Sequence, residues 1–552
     1  MAKTRKWTLI VGSILLLLYL FNNKQLASIL FGELKYRSAP MEQGTIEIPD
    51  TRTLKWKSES AFAVNAYRIC ADKPLPKNGL HLRNSVPRIL LAKLLLKEDI
   101  PEVNKMLMQL AVWGNSGSSW ALNKKGNYDF TLAVLTPIYG LFKDQPDLLY
   151  PEAKEYLFNV LLMEEGINFS YTVPRTLGLV VDTENHMLMT EGSRYLKNQW
   201  LREQGNMEDK YNNLINGMEY KLLLFMEEMK TAGLDEFNSL PYSGYTITAL
   251  LNIEAFASEK LSKEARNVLD YMNWCYALGS YRLKHYPPMR RRYSKAVIQE
   301  LTTDYHSAFM KAWLSYSDVE NFNTDISHAE VHAAMGACMP YRPADEVVEL
   351  IFNKGEGYFV KIGHGSEACP EIYSAGKHFL LSAGGVNRGK MSNIVTRPIT
   401  LFLNDTASIL SGTFHLAGPG PDFMKWNNTG VYRNFACAAG PVNIPPNTMP
   451  VGKEKNWSVY AMSDSVYIAV YSTDSLGLMA LFEVLDSREV LKSVINENSD
   501  PEQLAHTFKF PAGHKLTYDV NAPNDKWVMI SDDGQMLDRD FDTWSLIDGD
   551  FQ

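Results

Sequence analysis

The chain has 552 residues, 45% of them hydrophobic and 21% charged, with a formal net charge of −8. That length exceeds what one hydrophobic core organises and predicts two or three domains, while the apolar fraction excludes a disordered chain. The acidic balance argues against broad nucleic-acid binding, which needs a basic face, so no nucleic-acid partner is expected.

At the N-terminus Lys3, Arg5 and Lys6 precede an apolar run from Trp7 to Phe21. A basic flank followed by a hydrophobic run has the form of a secretory signal. The run is about 15 residues, a little short for a full span. Asn22-Asn23-Lys24-Gln25 follows it and offers no clear small-residue cleavage site. Residues 1–30 therefore read as a signal peptide or a single N-terminal membrane anchor. Either places the rest outside the cytoplasm: periplasmic, on the cell surface or secreted. The tripeptides starting at Asn168, Asn404, Asn427 and Asn456 match the N-glycosylation acceptor pattern.

Residues 31–345 read as a helical domain. Glu33 to Ser85 is polar, carries Pro74 and Pro76, and reads as an irregular lead-in. Helical periodicity begins near Val86, where Ile89, Leu90, Leu91, Leu94 and Leu95 form a wide apolar face. Further helices are predicted over Phe130–Phe142, Pro151–Met163, His186–Leu201, Glu208–Met229, Thr246–Phe256, Ser262–Leu278 and Asp304–Leu314, with Ser262 as an N-cap. The texture changes between Met339 and Lys354. Short alternating or aromatic runs follow, separated by Gly, Asn and Pro. Tyr358–Ile362, His378–Ala383, Ile399–Leu403, Val459–Met462, Val466–Tyr471, Leu478–Val484 and Trp527–Ile530 read as strands. Many short strands without intervening helices imply a β-sandwich over residues 346–552.

The five cysteines, Cys70, Cys275, Cys338, Cys369 and Cys437, lack metal-ligand spacing and read as mostly buried thiols. No HExxH, EF-hand or CxxC pattern, no glycine-rich phosphate loop and no Gly-x-Ser-x-Gly elbow occurs. No metal and no cofactor is assigned on these grounds.

Three polar patterns stand out from the helical background. The first is Gly126-Asn127-Tyr128-Asp129-Phe130, after a segment carrying Trp113 and Trp120. The second is Asp182-Thr183-Glu184-Asn185-His186. The third is Glu236-Phe237-Asn238-Ser239, with Tyr242 and Tyr245, leading into a helix. In their order and spacing, over roughly residues 80 to 400, they resemble the heparinase II/III-like and alginate-lyase-like polysaccharide lyases. The resemblance implies an incomplete (α/α) toroid followed by an antiparallel β-sandwich, and a partner that is a uronate-containing acidic polysaccharide or oligosaccharide.

Such a glycan can be cut by β-elimination. Removing the C5 proton places further negative charge beside a carboxylate, so a donor or cation must offset that charge and a base must reach C5. Asn185 supplies amide donors, and the resemblance gives that position the neutralising role; helix capping would also explain it. His186 can donate or act as base, or be a hydrogen-bonded structural histidine. Tyr242 is the phenol that would protonate the leaving oxygen, and Tyr245, three residues on, competes with it. Packing at a helix entry suits either tyrosine as well.

Related lyases bring a histidine from the sandwich to the cleft. His364 is the first choice, because Gly363 and Gly365 at the end of a strand leave its ring accessible, with His378 and His415 as rivals. Glu184 and Glu236 could orient His186 or the tyrosine. Asn127, Tyr128 and Asn238 join Glu184, Glu236 and Tyr245 as substrate-binding residues, Trp113, Trp120 and Tyr128 could stack on sugar rings or pack in the core, and Arg290, heading Arg290-Arg291-Arg292, is a local positive charge for an acidic glycan or a solvated loop. Two other readings remain open. One is a glycoside hydrolase on the same scaffold, using two of Glu184, Glu236 and Asp129. The other is a non-catalytic glycan-binding surface protein. The oligomeric state is not legible.

Overall fold

The computed structural model describes residues 10–16, 51–75, 85–112, 128–167, 182–240, 242–290, 304–365, 370–386, 394–403, 412–418, 426–462, 466–483 and 487–551. A helical N-terminal part is followed by antiparallel sheets. Residues 10–16 of the N-terminal run are helical and exposed, and no described helix is long and apolar enough to cross a membrane.

The helix Ser243–Phe256 lies at the centre of the helical part. Thr246 through Glu254 are all buried, as expected of a helix that is apolar all round. It packs against Asp129–Phe142, Glu259–Gly279 and the turns around Leu188–Gly192. Local chemistry moves several predicted boundaries. Gly217 takes a left-handed conformation (φ 80°) that separates a short turn at Asp209–Tyr211 from the helix Met218–Ala232, splitting the predicted Glu208–Met229. Ser258, not Ser262, caps the helix Glu259–Gly279, accepting from the Leu261 N–H; Ser262 instead donates to the Glu254 carbonyl at 2.5 Å. The segments after Pro151 and Glu184 both widen into a π-type turn, at Leu157–Leu161 and Leu188–Gly192.

Two large antiparallel sheets form most of the C-terminal part. The seven-stranded sheet runs in the order Val442–Asn443, Phe414–Leu416, Ile399–Leu403, Phe379–Gly384, Glu371–Gly376, Tyr358–Ile362, Asp548–Phe551. The six-stranded sheet runs Val431–Tyr432, Phe435–Ala438, Gly477–Glu483, Val466–Ser472, Trp457–Ala461, Gly452–Glu454. Strand alternation divides the seven-stranded sheet between two cores. Phe359, Ile372, Leu381 and Leu401 share a core with Phe435, Val459, Ile468 and Leu478 of the other sheet. Tyr358, Val360, Ile362, Tyr373, Leu380 and Phe402, on the opposite face, join the helical core.

That second face is where the two parts meet, and polar groups fix its geometry. The helix Glu259–Gly279 ends against the sheet with carbonyls that lack helical partners. Lys354 donates to the Ala277 carbonyl at 2.8 Å, and the Tyr358 hydroxyl to the Leu278 carbonyl at 2.6 Å. Lys284 donates to the Leu403 carbonyl at 3.0 Å, and Met289–Arg290 pairs with Ile394–Val395 as a two-stranded ribbon. Gly279 permits the closest approach: a Cβ there would lie 2.7 Å from the Tyr373 ring.

Of the glycosylation patterns, Asn168 and Asn404 lie outside the described residues. Asn427 cannot be an acceptor in this fold, because its buried amide donates to the carbonyls of Ala522, Pro523 and Lys526. Asn456 is exposed. Cys70 and Cys437 are buried free thiols, Cys275 and Cys338 are half-buried ones, and Cys369 lies outside the described residues.

Candidate active site at the junction of the two parts

The turn between the helices Met218–Ala232 and Ser243–Phe256 carries Asp235 to Leu240 and touches both parts of the chain. Asn238 sits in it at φ 52°, a left-handed position that asparagine tolerates better than most residues. The turn is tied on one side to residues 184–186 and on the other to the β sheet.

On the helical side, Asn185 is completely buried. Its Nδ2 donates to the Glu236 carboxylate, and Glu184 Oε1 accepts the Glu236 N–H at 2.9 Å. Thr183 is the residue before the helix Glu184–Met187, so the Asn185 side chain is turned across to the neighbouring segment and does not cap its own helix. Burial, with Asp235 and Glu236 close by, pushes the Glu184 carboxyl up to about 8. His186 donates from Nδ1 to Asp129 at 2.5 Å, and its Nε2 faces Asp182 at 3.9 Å. Burial alone would depress this imidazolium, but the two aspartates outweigh it and hold it up to about 9. His186 is therefore a cation at neutral pH, not a free base.

On the β side, His364 follows the strand Tyr358–Ile362 and lies on its helix-facing side. Its ring is stacked on Phe237, with centroids 3.7 Å apart and planes 9° from parallel. His364 Nε2 donates to Glu371 Oε1 at 2.6 Å. The other Glu371 oxygen accepts from Asn238 Nδ2 at 2.8 Å and from the Tyr373 hydroxyl. The expectation that flanking glycines leave this ring open is corrected: Phe237 covers one face, and only 7% of the side chain is exposed. His378 lies on an exposed hairpin turn, and His415 bonds the Thr413 carbonyl at 3.4 Å.

The remaining predicted residues divide. Arg290 is half-buried and turned to Asp235, donating to its carbonyl at 3.5 Å and facing its carboxylate at 3.8 Å. Its backbone N–H donates to the Phe237 carbonyl, which closes the turn against the two-stranded ribbon. Tyr242 is half-buried against the helical core at the start of Ser243–Phe256. Tyr245 is edge-on to Phe130, with ring centroids 4.4 Å apart, and Phe130 in turn meets the His186 ring at 5.1 Å. Arg88 lies 5.1 Å over the Tyr245 ring. Tyr128 is inside the core, its hydroxyl donating to the Leu161 carbonyl at 3.0 Å, so it presents no face for a sugar to stack on. Asn127, Trp113 and Trp120 lie outside the described residues.

Hydrogen bonds and ring contacts thus bring together Glu184, Asn185, Glu236, Phe237, Asn238, His364 and Glu371. Phe237 and Glu371 are the residues of this cluster to which sequence reasoning gave no role. Asp129, which holds His186 from the helical side, was read there only as a carboxyl group for the hydrolase alternative. Glu371 carried no signal, because nothing in the sequence shows that the strand Glu371–Gly376 faces residue 238.

No family model matches the chain, and no curated protein matches it significantly.

Proposed function

We propose that the protein is a polysaccharide lyase that cleaves a uronate-containing glycan by β-elimination. In this reading the helical part is an incomplete toroid and the C-terminal part a β-sandwich, with the cleft at their junction. The observation that supports it most is the turn Asp235–Leu240. It carries Glu236 onto Asn185 and, two residues on, Asn238 onto Glu371, while Phe237 between them lies on His364. One hexapeptide therefore joins an amide from the helical part to an imidazole from the β part, the two groups the elimination requires.

In the proposed step Asn185 and the imidazolium of His186 bear on the sugar carboxylate. His364, its Nε2 bonded to Glu371, offers Nδ1 as the proton acceptor. The Tyr242 hydroxyl supplies the proton to the departing glycosidic oxygen. The product carries a C4=C5 double bond conjugated to the carboxylate. Ultraviolet absorbance of acidic glycans incubated with the protein tests this: growing absorbance supports the reading, and new saturated ends without absorbance overturn it.

That second outcome belongs to a glycoside hydrolase, which one observation favours. Glu184, held up to about 8 by burial, keeps the proton that a general acid needs, and it stands beside a second carboxyl group, Glu236, whose N–H it accepts.

A further inference from the structure

Arg88 is a cation without a counterion beside the tyrosines of the candidate site. It lies in the first turn of the helix Ser85–Leu96 and is half-buried, with its guanidinium 5.1 Å over the ring of Tyr245. Among the described residues it makes no ion pair and no hydrogen bond. No Asp or Glu stands between Lys73 and Lys97 in the sequence. By contrast Arg52, Arg194 and Arg266, also in the helical part, each bond a carboxylate. His186 and Arg290 are likewise engaged, the first between Asp129 and Asp182, the second facing Asp235 at 3.8 Å.

The surroundings of Arg88 attract its charge without using its donors. The face of Tyr245 draws the cation but gives the N–H groups no acceptor. His332 meets the same tyrosine edge-on at 5.5 Å. Burial, reinforced by Arg88, holds the His332 imidazole well below the ordinary histidine range, so it brings no charge of its own. What remains for the guanidinium donors is the open side of the group, where water is readily displaced by an anion.

Ring contacts connect Arg88 to the proposed chemistry. Tyr245 is edge-on to Phe130, which in turn meets the His186 ring. Tyr242 lies one turn before Tyr245, whose N–H bonds the Tyr242 carbonyl at 2.9 Å. Residues so spaced are neighbours on a helix surface, with Cβ atoms about 5–6 Å apart. Arg88 therefore stands on the Tyr242 side, two rings removed from His186, and faces a different part of the glycan from the carboxylate on which Asn185 and His186 bear.

We infer that Arg88 binds the carboxylate of a second uronate, on the leaving side of the cleaved bond, so that the site selects glycans acidic on both sides of that bond. This deepens the lyase reading and rests on it for the identity of the sugar. A guanidinium is planar, stays charged at any pH the fold survives, and donates in parallel to both oxygens of a carboxylate.

The test is fluorine NMR of the full chain labelled with 3-fluorotyrosine, with the Tyr245 resonance assigned by Tyr245→Phe. Sodium glucuronate is expected to shift that resonance saturably and glucose to leave it in place. In Arg88→Gln the apparent affinity falls about tenfold or more. Arg202→Gln removes the same charge from a half-exposed position in the helix Ser193–Glu203 and leaves the affinity as it was. Arg88→Lys keeps the charge but not the planar fork and falls between the two; it also serves where the glutamine variant does not fold. A resonance unmoved by glucuronate, moved equally by glucose, moved only by glucose 6-sulfate, or moved as readily in Arg88→Gln or Arg88→Lys as in the wild type overturns the inference. The lyase reading fails separately. A glucuronate response lost in Arg88→Gln, with no ultraviolet product from acidic glycans, upholds the carboxylate site and removes the elimination. Ultraviolet product with a KM that Arg88→Gln does not raise upholds the elimination and overturns the role of Arg88.

Discussion

Glu371 and Asn238 are 133 residues apart in the chain and 2.8 Å apart in the fold, a carboxylate of the β part accepting an amide N–H of the helical part. Glu371 also holds His364 and Tyr373, and it is 4% exposed. Replacing it by leucine takes away an acceptor shared by Asn238 Nδ2, His364 Nε2 and the Tyr373 hydroxyl. Breaking a buried, bonded charge of this kind costs about 3–5 kcal/mol. Glu371→Leu is therefore expected to lower the denaturant midpoint sharply, whereas Glu371→Gln, which keeps an acceptor oxygen, lowers it less. Equal midpoints for the two variants would show that the carboxylate does not hold the junction.

Glu371→Gln separates positioning from folding. The glutamine can still accept from one donor, but it no longer fixes His364 with its Nε2–H towards the carboxylate. Nitrogen-15 shifts of the imidazole are expected to show the Nε2–H tautomer in the wild type and a mixture in the variant. Product formation on a true substrate falls about 10²-fold, mainly in kcat, since the glutamine touches no part of the sugar. A fall confined to KM would assign Glu371 to substrate binding instead.

Asn185 and Tyr242 carry the chemistry in the proposed step. Asn185→Ala removes one preorganised donor, for which a loss of about 10²–10³ in kcat is expected, and Tyr242→Phe removes the proton donor, for about 10²–10⁴. The alanine also removes the Asn185 amide from Glu236, so a stability loss of about 1–3 kcal/mol accompanies the first. Full activity in both variants on a cleaved glycan would place the reaction elsewhere.

Much of this arrangement was legible in the sequence, and the missing part has a common cause. The order of helices and then strands follows from a change in apolar period, which is local, and Tyr358–Ile362 and Ile399–Leu403 stand where alternation places them. Asn185, Glu236 and Asn238 were visible as polar residues in helix connections. Their partners were not. Nothing near Glu236 in sequence says that its carboxylate meets an amide 51 residues earlier. The glycines beside His364 argued for an open ring, and only the fold brings Phe237 over it. Boundaries slipped where a single residue decides the backbone, as at Gly217 and Ser258, because periodicity averages over a whole turn.

The buried histidines make stability depend on acid. Burial pushes the His306 imidazole down to about 3, with His285 adding to the effect and Asp304 opposing it. Its Nε2 meets Asn273 Oδ1 at 2.7 Å, and its ring stacks on Tyr276. Below the ordinary histidine value of about 6.5 the unfolded chain binds a proton that the folded chain refuses. Stability is therefore lost as pH falls from about 6.5 towards 3, by up to about 1.4 kcal/mol per pH unit for one such group. His332, enclosed by Tyr305 and Phe309 and also held down by burial, adds a second. Unfolding free energies measured across this range are expected to show a shallower slope in His306→Gln by about one proton. An unchanged slope would mean that His306 is already protonated in the folded protein.

Gly279 tests whether the junction tolerates displacement. A Cβ at this position would lie 2.7–2.9 Å from three atoms of the Tyr373 ring, including its hydroxyl oxygen. Tyr373 is fully buried, so the ring has nowhere to rotate without moving the strand Glu371–Gly376. Overpacking of this kind costs about 1–3 kcal/mol. The hydroxyl that would move is the one that donates to Glu371, so Gly279→Ala should disturb the His364 tautomer as well as lower the melting temperature. Tyr373→Leu in the same chain removes the ring and restores room for the methyl. The pair is therefore expected to be less than additive, with the double variant closer in stability to Tyr373→Leu alone than the sum of the single effects predicts. Strict additivity would show that the methyl is accommodated by the helix end and that the contact between Gly279 and Tyr373 does not set the position of the sheet.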